Sequence, residues 1–338
     1  MALLGMNGFE DYGDTADMKA DDFVTTVGTM AFETGRITGR ALTINSFDDD
    51  YYHHLTAPTT ATWYIGLGVK ATSPPSSDSV LIFTRNTDGG EEIRVYLAVG
   101  GTMQVRRSGT LLGTTTNSVN FGTWNHIVLK VFQNNTTGTV EFWLNGTKEI
   151  DLTNVDTLNT VASLQYVHIA AVSASLPIAI DDLYIGDDSG TDMTDQQGDC
   201  VIEMLTPNAN GTTNNFTASP AVSNYLNVDD GSAPDDDTTY NHSSTATHKE
   251  LYACSNITGN VDTIHAVQVR AYARKEDAGN RQINLICRNN VTEVDSGQKG
   301  LTTTYGYKSH IYENDPDGGG NWTEADVNAM EVGLEIGT

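Results

Sequence analysis

A short run of carboxylates is the first pattern in this sequence that could do chemistry. Glu149 and Asp151 alternate along the segment Glu149-Ile150-Asp151-Leu152-Thr153-Asn154, so both side chains lie on one face of a strand. Glycoside hydrolysis needs two such carboxylates, one acting as the acid and one as the nucleophile. A third carboxylate would complete the pattern, but Thr153 and Asn154 occupy its place. We therefore expect no catalysis here and interpret Glu149 as an exposed hairpin residue.

Patterns for nucleophilic catalysis and for zinc are also missing. No Gly-x-Ser-x-Gly elbow occurs, and Cys200, Cys254 and Cys287 match no Cys-x-x-Cys spacing. These cysteines could form one disulfide or remain three buried thiols, and both alternatives stay open. His53 and His54 are adjacent, so on a strand they point to opposite faces and do not readily share one metal ion. The sequence therefore predicts a protein that is not an enzyme.

Acidic clusters are the candidate metal sites. Ca²⁺ takes several carboxylate and carbonyl oxygens from loops, and the calcium candidates are Asp48, Asp49 and Asp50 together with Asp181 and Asp182. Neither cluster has the spaced Asp-x-Asp-x-Asp-Gly pattern of a dedicated loop. For Asp181 and Asp182 a structural role is the leading alternative, in which one carboxylate turns inward to accept backbone N–H groups and the other is solvated. Calcium is the one cofactor that the sequence suggests.

An aromatic group beside the first acidic run is the candidate glycan site. Tyr51, Tyr52 and His53 directly follow Asp50, and a sugar is bound by an exposed aromatic platform with polar groups nearby. The alternative is that these rings pack onto a sheet edge or against a neighbouring subunit. A fold by itself does not decide between the two.

The charge balance excludes several classes of partner. The chain of 338 residues has 18 Lys and Arg against 44 Asp and Glu, a formal net charge of −26. Binding of nucleic acid or of an anionic membrane needs clustered cations, so neither is expected. The N-terminal residues 1–6 lack the basic region of a secretory signal, and no run approaches the ~20 apolar residues of a membrane span.

The elements that must position these residues are short strands. Between Phe121 and Leu152, alternating large and polar residues predict a three-stranded antiparallel meander, and Asn145-Gly146 is a strong hairpin signal. The sequence Trp63-Tyr64-Ile65-Gly66-Leu67-Gly68-Val69 predicts a strand on which a neighbouring backbone comes close. One short helix is expected around 16–20, and another after Thr323, which is placed as its cap.

Strand spacing and linker composition predict two domains. The first, residues 1–190, is expected to be a jelly-roll sandwich of about a dozen strands. Residues 191–198 form a polar, glycine-bearing linker. Residues 199–338 form a smaller β-sandwich with at most one short helix. The predicted fold class is all-β.

Several segments resemble a known family in the same order along the chain. Trp124-Asn-His-Ile-Val-Leu, Val140-Glu-Phe-Trp-Leu-Asn-Gly and Ile180-Asp-Asp-Leu-Tyr-Ile resemble strands of laminin-G-like, concanavalin A-like jelly rolls. Together with Gly8-Phe-Glu-Asp-Tyr and Gly35 to Leu42, they resemble the laminin-G-like proteins of tailed-bacteriophage virions. The resemblance covers roughly residues 1–190, and Ile264 to Lys275 and Pro316 to Gly333 extend it to the second domain.

The resemblance implies a non-enzymatic structural protein on the surface of a phage particle. It would decorate the capsid or belong to the tail, bind major capsid or tail subunits, and form a homo-oligomer, for which we expect a trimer. It would be assembled in the cytoplasm of the bacterial host. Weak binding of a host surface glycan is expected as an additional property. A carbohydrate-binding tail adhesin is the alternative function, and a polysaccharide depolymerase is a third.

Overall fold

The computed structural model describes residues 2–46, 49–170, 177–190, 193–259 and 261–337. The chain divides into two compact units. The first unit comprises Met1–Glu10, Asp14–Lys19 and Phe23–Ile202, and the second comprises Asp11–Gly13, Ala20–Asp22 and Glu203–Thr338. The expected linker 191–198, of which 191 and 192 lie outside the described residues, falls within the first unit. Two short N-terminal segments belong to the second unit, which the polar composition of residues 9–23 did not foreshadow.

The first unit is built almost entirely of strands. Its one helix spans five residues at the position expected from sequence. Its elements are β1 (Leu3–Asn7), α1 (Thr15–Lys19), β2 (Val24–Val27), β3 (Met30–Thr34), β4 (Arg40–Ile44), β5 (Asp50–His54), β6 (Thr62–Ala71), β7 (Ser79–Arg85), β8 (Glu91–Leu97), β9 (Thr102–Arg107), β10 (Thr110–Ser118), β11 (Asn125–Phe132), β12 (Gly138–Leu144), β13 (Thr147–Val155), β14 (Tyr166–Ala170) and β15 (Ile178–Asp187).

These strands form two antiparallel sheets. Sheet I has the order β13-β12-β11-β6-β15-β4-β3, with β1 paired to β15, and sheet II has the order β10-β9-β8-β7-β14-β5-β2. Trp63, Ile65 and Leu67 of β6 alternate into the interior, where Ile93 and Val95 of β8 are also buried. Burying each such side chain stabilises the fold by about 1.5–3 kcal/mol. The first unit is a jelly-roll sandwich, in which each sheet has an inner face that packs on the core and an outer face.

The predicted meander is present. Strands β11, β12 and β13 pair consecutively, and Asn145 and Gly146 have φ values of 51° and 79°, as the left-handed positions of a tight hairpin require. In β6, Gly66 is required by a neighbouring side chain and not, as the sequence predicted, by a neighbouring backbone. A Cβ added to Gly66 would lie 2.1 Å from Cζ of Tyr184, so the glycine makes room for an aromatic ring on the outer face of sheet I.

The second unit combines a five-stranded sheet with two small ribbons. Its five-stranded sheet has the order β16-β19-β24-β21-β22, and β17-β18 and β20-β23 form two-stranded ribbons. Its elements are β16 (Pro207–Asn214), β17 (Thr217–Ser219), a 3₁₀ turn (Asn224–Asn227), β18 (Tyr240–His242), β19 (Lys249–Cys254), β20 (Val267–Ala273), β21 (Gln282–Asn289), β22 (Thr292–Gly300), β23 (Gly306–Tyr312), α2 (Glu324–Ala329) and β24 (Glu331–Ile336).

Helix α2 is capped as the sequence indicates. The Thr323 hydroxyl accepts the N–H of Asp326, and the Asp326 carboxylate accepts the N–H of Thr323. Trp322 and Val327 place this end of the chain in the core beside Leu285 and Cys287. The predicted all-β fold class, with a smaller second sandwich that contains one short helix, is confirmed. Neither α-helix in the described part of the chain could cross a lipid bilayer, because both are too short and too polar.

The two N-terminal segments of the second unit surround one arginine. Arg270 of β20 lies between the rings of Tyr12 and Tyr307, with its Cζ 5.1 and 4.9 Å from their centroids. Its Nε is 2.7 Å from an oxygen of Asp11, and one terminal nitrogen is 2.7 Å from an oxygen of Asp21. Residues of the two N-terminal segments and of the later strand β20 therefore form one partly buried charged cluster.

Candidate functional site

The structure separates the three residues of the predicted glycan platform. Tyr51 and His53 of β5 point toward sheet I and are 0% and 4% exposed. The Tyr51 hydroxyl accepts a hydrogen bond from Nδ2 of Asn7 and lies 3.0 Å from Nδ1 of His53. Because alternate residues of a strand face opposite sides, only Tyr52 reaches the outer face of sheet II. Tyr51 and His53 therefore cannot serve as a platform for a sugar.

An aromatic row crosses sheet II at Tyr52. The register places Tyr52 opposite His168 of β14, and His168 opposite Phe83 of β7. The Tyr52 and His168 rings stack at 4.0 Å, and the Phe83 ring meets His168 edge-on at 3.6 Å. Burial lowers the pKa of His168 to about 4, although the charge of Asp50, whose Oδ1 lies 2.7 Å from Nε2, opposes this shift. The imidazole is neutral at pH 7 and forms the floor of the row.

A second row lies beside the first, nearer the ends of the same strands. His54 of β5 is opposite Tyr166 of β14, which is opposite Arg85 of β7. Within the described residues, the Tyr166 hydroxyl and the Arg85 guanidinium form no hydrogen bond, and Nε2 of His54 is buried without a partner. The nearest carboxylate to Arg85 is Glu91 of β8, at 3.7 Å. We call His54, Tyr166 and Arg85 the unpaired row, because none of these three side chains makes a hydrogen bond to a described residue, although Arg85 lies within ion-pair distance of Glu91.

Arginines and a tyrosine continue this surface over β8 and β9. Nη1 of Arg94 donates to the Tyr96 hydroxyl at 3.1 Å, and its other terminal nitrogen pairs with Glu91. The Arg106 guanidinium lies 4.4 Å from the centroid of the Tyr96 ring and 3.3 Å from Asp78. We define the aromatic–arginine face as the half-buried side chains of Tyr52, His54, Phe83, Arg85, Arg94, Tyr96, Arg106 and Tyr166 on the outer side of sheet II.

Sequence reasoning did not find most of this face, yet a signal was present. On β7, β8 and β9 the positions that alternate with core residues carry an aromatic or amide residue and an arginine two positions apart. The pairs are Phe83 and Arg85, Arg94 and Tyr96, and Gln104 and Arg106. Polar small residues are the ordinary occupants of a solvated strand face. The repetition of such pairs on three neighbouring strands is the pattern from which this face could have been predicted.

The two described residues of the first calcium cluster, Asp49 and Asp50, contact different partners. Asp48 lies outside the described residues. The Asp49 carboxylate is buried and accepts the N–H groups of Thr29 and Ser46 at 2.6 and 3.0 Å, and Asp50 approaches His168 instead. In the part of the chain that the structure describes, no three His, Cys, Asp or Glu residues are grouped to hold a metal ion.

Asp181 and Asp182 are held by an arginine. The Asp181 carboxylate accepts the N–H groups of Arg36 and Asp182 at 2.7 and 2.8 Å. Asp182 accepts the N–H of Ile202 at 2.7 Å and Nε–H of Arg36 at 2.8 Å. The expectation that one of the two carboxylates is solvated was wrong, since they are 1% and 2% exposed. The positive charge beside Asp182 in this structure is the guanidinium of Arg36.

The electrostatics of this cluster follow from its burial. Burial raises the pKa of Asp181 to about 7, with the charge of Asp182 adding to the effect. The pKa of Asp182 is also raised by burial, while hydrogen bonds from Ile202 and Arg36 lower it. Nη1 of Arg36 pairs with Asp199 at 2.6 Å. The cluster stabilises the path of residues 199–202 within the first unit.

Glu149 is half-buried and not exposed as expected, and its carboxylate links two strands. Its carboxylate accepts the N–H groups of Thr116 and Asn117 at 2.9 and 3.1 Å, which joins β13 to β10. Hydrogen bonds from Asn117 lower the pKa of Glu149 below its usual range. A general acid needs a raised pKa, so this carboxylate is poorly suited to protonate a leaving group.

Cys200, Cys254 and Cys287 are all free thiols.

No protein-family model matches the chain, and no curated protein matches its sequence. Among solved structures, an endo-β-1,4-glucuronan lyase from Trichoderma reesei has 12% identity and a TM-score of 0.39, covering 55% of this chain and 94% of the lyase. The cellulose-induced protein Cip1 has 13% identity and a TM-score of 0.42, with coverage of 58% and 100%. Domain 4 of the arabinanase AbnA from Geobacillus stearothermophilus, in complex with arabinotriose, has 17% identity and a TM-score of 0.41, with coverage of 55% and 92%. These likenesses are too distant to carry a functional argument for this chain.

Proposed function

We propose that this protein binds a glycan through the aromatic–arginine face of its first unit. The observation that carries the proposal is the unpaired row. Arg85 and Tyr166 lie side by side on neighbouring strands with unused hydrogen-bonding groups, and His54 adjoins them. Buried polar groups in folded proteins almost always have a hydrogen-bond partner, either in the protein or in ordered water. Nε2 of His54 is such a buried group, and a ligand bound across Arg85 and Tyr166 supplies a partner for it.

The chemistry of the neighbouring rings favours a sugar as that ligand. Tyr52 and Phe83 present half-buried rings in the adjoining row. A sugar ring has apolar C–H groups that pack on an aromatic ring, and its hydroxyls match the planar polar groups of Arg and Tyr. The rigid sheet holds these side chains in place, so little conformational entropy is lost on binding.

We propose binding without catalysis. Glycoside hydrolysis needs an acid and a second carboxylate on either side of the bond. Glu91 is engaged by Arg94, and Asp50 lies against His168. His168 is 3% exposed, so its imidazole does not reach a bound substrate.

Glycan-array screening of the full chain tests the proposal. A sugar that binds should lose affinity when Tyr52 or Phe83 is replaced by alanine. Removing a partner from a hydrogen-bonded contact costs about 1–3 kcal/mol, so Arg85→Gln should weaken binding about tenfold or more. Trp143→Ala is the matched aromatic control, because this half-buried ring lies on the outer face of sheet I. Failure of every array sugar to bind, or equal loss in the control, contradicts the proposal.

The virion role expected from the resemblance remains a prediction. A decoration protein is expected in many copies per particle and a tail adhesin in few, so a quantitative gel of purified phage distinguishes them. The expected trimer, the capsid or tail partners and the bound Ca²⁺ are tested in the same particles, by cross-linking and by the effect of a chelator on heat resistance.

A further inference from the structure

The unpaired row offers more hydrogen-bond donors than acceptors. The Arg85 guanidinium has five N–H donors and cannot accept a hydrogen bond. The hydroxyl of Tyr166 can donate or accept. Among the described residues, Glu91 is the carboxylate within ion-pair distance of Arg85, and it is shared with Arg94. A ligand that satisfies this row must therefore bring acceptors.

The local charge points in the same direction. Across the face, Arg85, Arg94 and Arg106 are balanced by Glu91, Asp78 and Asp50, but Arg85 itself has only the carboxylate of Glu91, which lies 3.7 Å away and is shared with Arg94. The whole chain carries −26, and long-range repulsion of an anion is therefore expected. Exposed charges are screened beyond a Debye length of about 8 Å at physiological salt, so a bound anion interacts mainly with the side chains nearest to it.

The Arg85 side chain is positioned for planar recognition. Its Cζ lies 5.2 Å from the centroid of the Phe83 ring, which sits two residues earlier on the same strand. The Arg85 side chain is 36% exposed, so it can reach a ligand while the ring limits its motion. A guanidinium matches the two oxygens of a carboxylate in a bidentate pair.

We propose that the glycan bound at the aromatic–arginine face contains uronic acid, and that Arg85 binds the carboxylate of one uronate residue. Tyr166 lies next to Arg85 across the strand pair and donates its hydroxyl to the same carboxylate or to an adjacent ring oxygen. This inference rests on the proposed glycan binding and specifies its ligand class.

Calorimetric titration of the full chain tests the inference with matched oligosaccharides. The probes are hexasaccharides of galacturonic, glucuronic and mannuronic acid, each with its carboxyl-reduced counterpart. At least one uronate should bind about tenfold or more tightly than its reduced form, because a charge-assisted pair is roughly twice as strong as a neutral one. Arg85→Gln should remove that preference. Lys148→Gln changes the charge equally on β13 of sheet I and should preserve it.

The outcomes separate this inference from the proposed function. Equal binding of an acidic hexasaccharide and its reduced form contradicts the uronate assignment and leaves glycan binding in place. Persistence of the preference in Arg85→Gln contradicts the role of Arg85. If no hexasaccharide and no array glycan binds, both proposals are wrong. Melting temperatures of both variants confirm that each remains folded, which the exposure of Arg85 leads us to expect.

Discussion

Replacing Arg36 by glutamine is expected to destabilise the first unit strongly. The Arg36 side chain is 8% exposed and donates to Asp182, Asp199 and the carbonyl of Cys200 at 2.8, 2.6 and 2.6 Å. Asp182 is 2% exposed, so the variant leaves a buried carboxylate without its cation. Breaking a buried ion pair by removing one partner costs about 3–5 kcal/mol.

The cost of this variant depends on pH in a defined direction. Arg36 lowers the pKa of Asp182, which burial raises, so its removal raises that pKa further above the unfolded value. Below the unfolded pKa the carboxylate is neutral in both states and the penalty is absent. The extra cost of the variant grows as the pH rises from the folded pKa of Asp182 in the wild type to its higher folded pKa in the variant. Arg36→Gln should therefore cost more at pH 8 than at pH 5.

Urea denaturation followed by tryptophan fluorescence measures the effect, since Trp63, Trp124 and Trp143 lie in the first unit. The double variant Arg36→Gln/Asp182→Asn should recover at least half of the lost free energy of unfolding, because no buried charge is then left alone. Lys148→Gln is the half-exposed control and should cost less than about 1 kcal/mol. A cost for Arg36→Gln equal to that of the control, or equal at both pH values, would refute the reasoning.

Three further effects are expected in the same unfolding experiments. Gly66→Ala should lose about 1–3 kcal/mol because its Cβ meets the Tyr184 ring, whereas Gly100→Ala, which has open space around its Cβ, should be neutral or slightly stabilising. Thr323→Ala should cost about 1 kcal/mol in the second unit through the lost helix cap. The folded pKa of Asp181 is raised to about 7. The contribution of Asp181 to the free energy of unfolding should therefore fall by up to about 4 kcal/mol as the pH rises from about 4 to 7. The variant Asp181→Asn should flatten this part of the pH profile.

The sequence correctly predicted the β11–β13 meander and the cap of helix α2, because short-range contacts determine both. The meander from β11 to β13 follows from a period of two and from Asn145-Gly146, where both residues need positive φ. The capped helix α2 follows from the pairing of Thr323 with Asp326. In these places the signal and the structure involve the same few neighbouring residues, so a single sequence contains the necessary information.

Two of the three residues predicted for the glycan platform, Tyr51 and His53, are buried, and the sequence could not show this for a physical reason. In the run from Asp50 to His54, both faces of the strand carry aromatic side chains, so the alternation has no contrast between apolar and polar positions. Such a pattern reveals a strand but not which face is buried. The structure turns Tyr51 and His53 inward and Tyr52 outward.

The unpaired row lay beyond sequence reasoning because it depends on register. His54, Tyr166 and Arg85 come from three strands separated by up to 112 positions, which the pairing of β5, β14 and β7 brings side by side. A shift of one residue in either pairing would send a side chain to the opposite face. Register is a property of the assembled sheet and is not visible in any one strand.

The arginine cluster of the second unit has a consequence for the order of synthesis. Asp21 leaves the ribosome long before Arg270, its partner 249 positions later. At about 5–20 residues per second, the segments around Tyr12 and Asp21 wait roughly 12 to 50 s for the strand that completes their fold. The second unit therefore completes its fold only after β20 has been made, although its segments Asp11–Gly13 and Ala20–Asp22 are translated before most of the first unit.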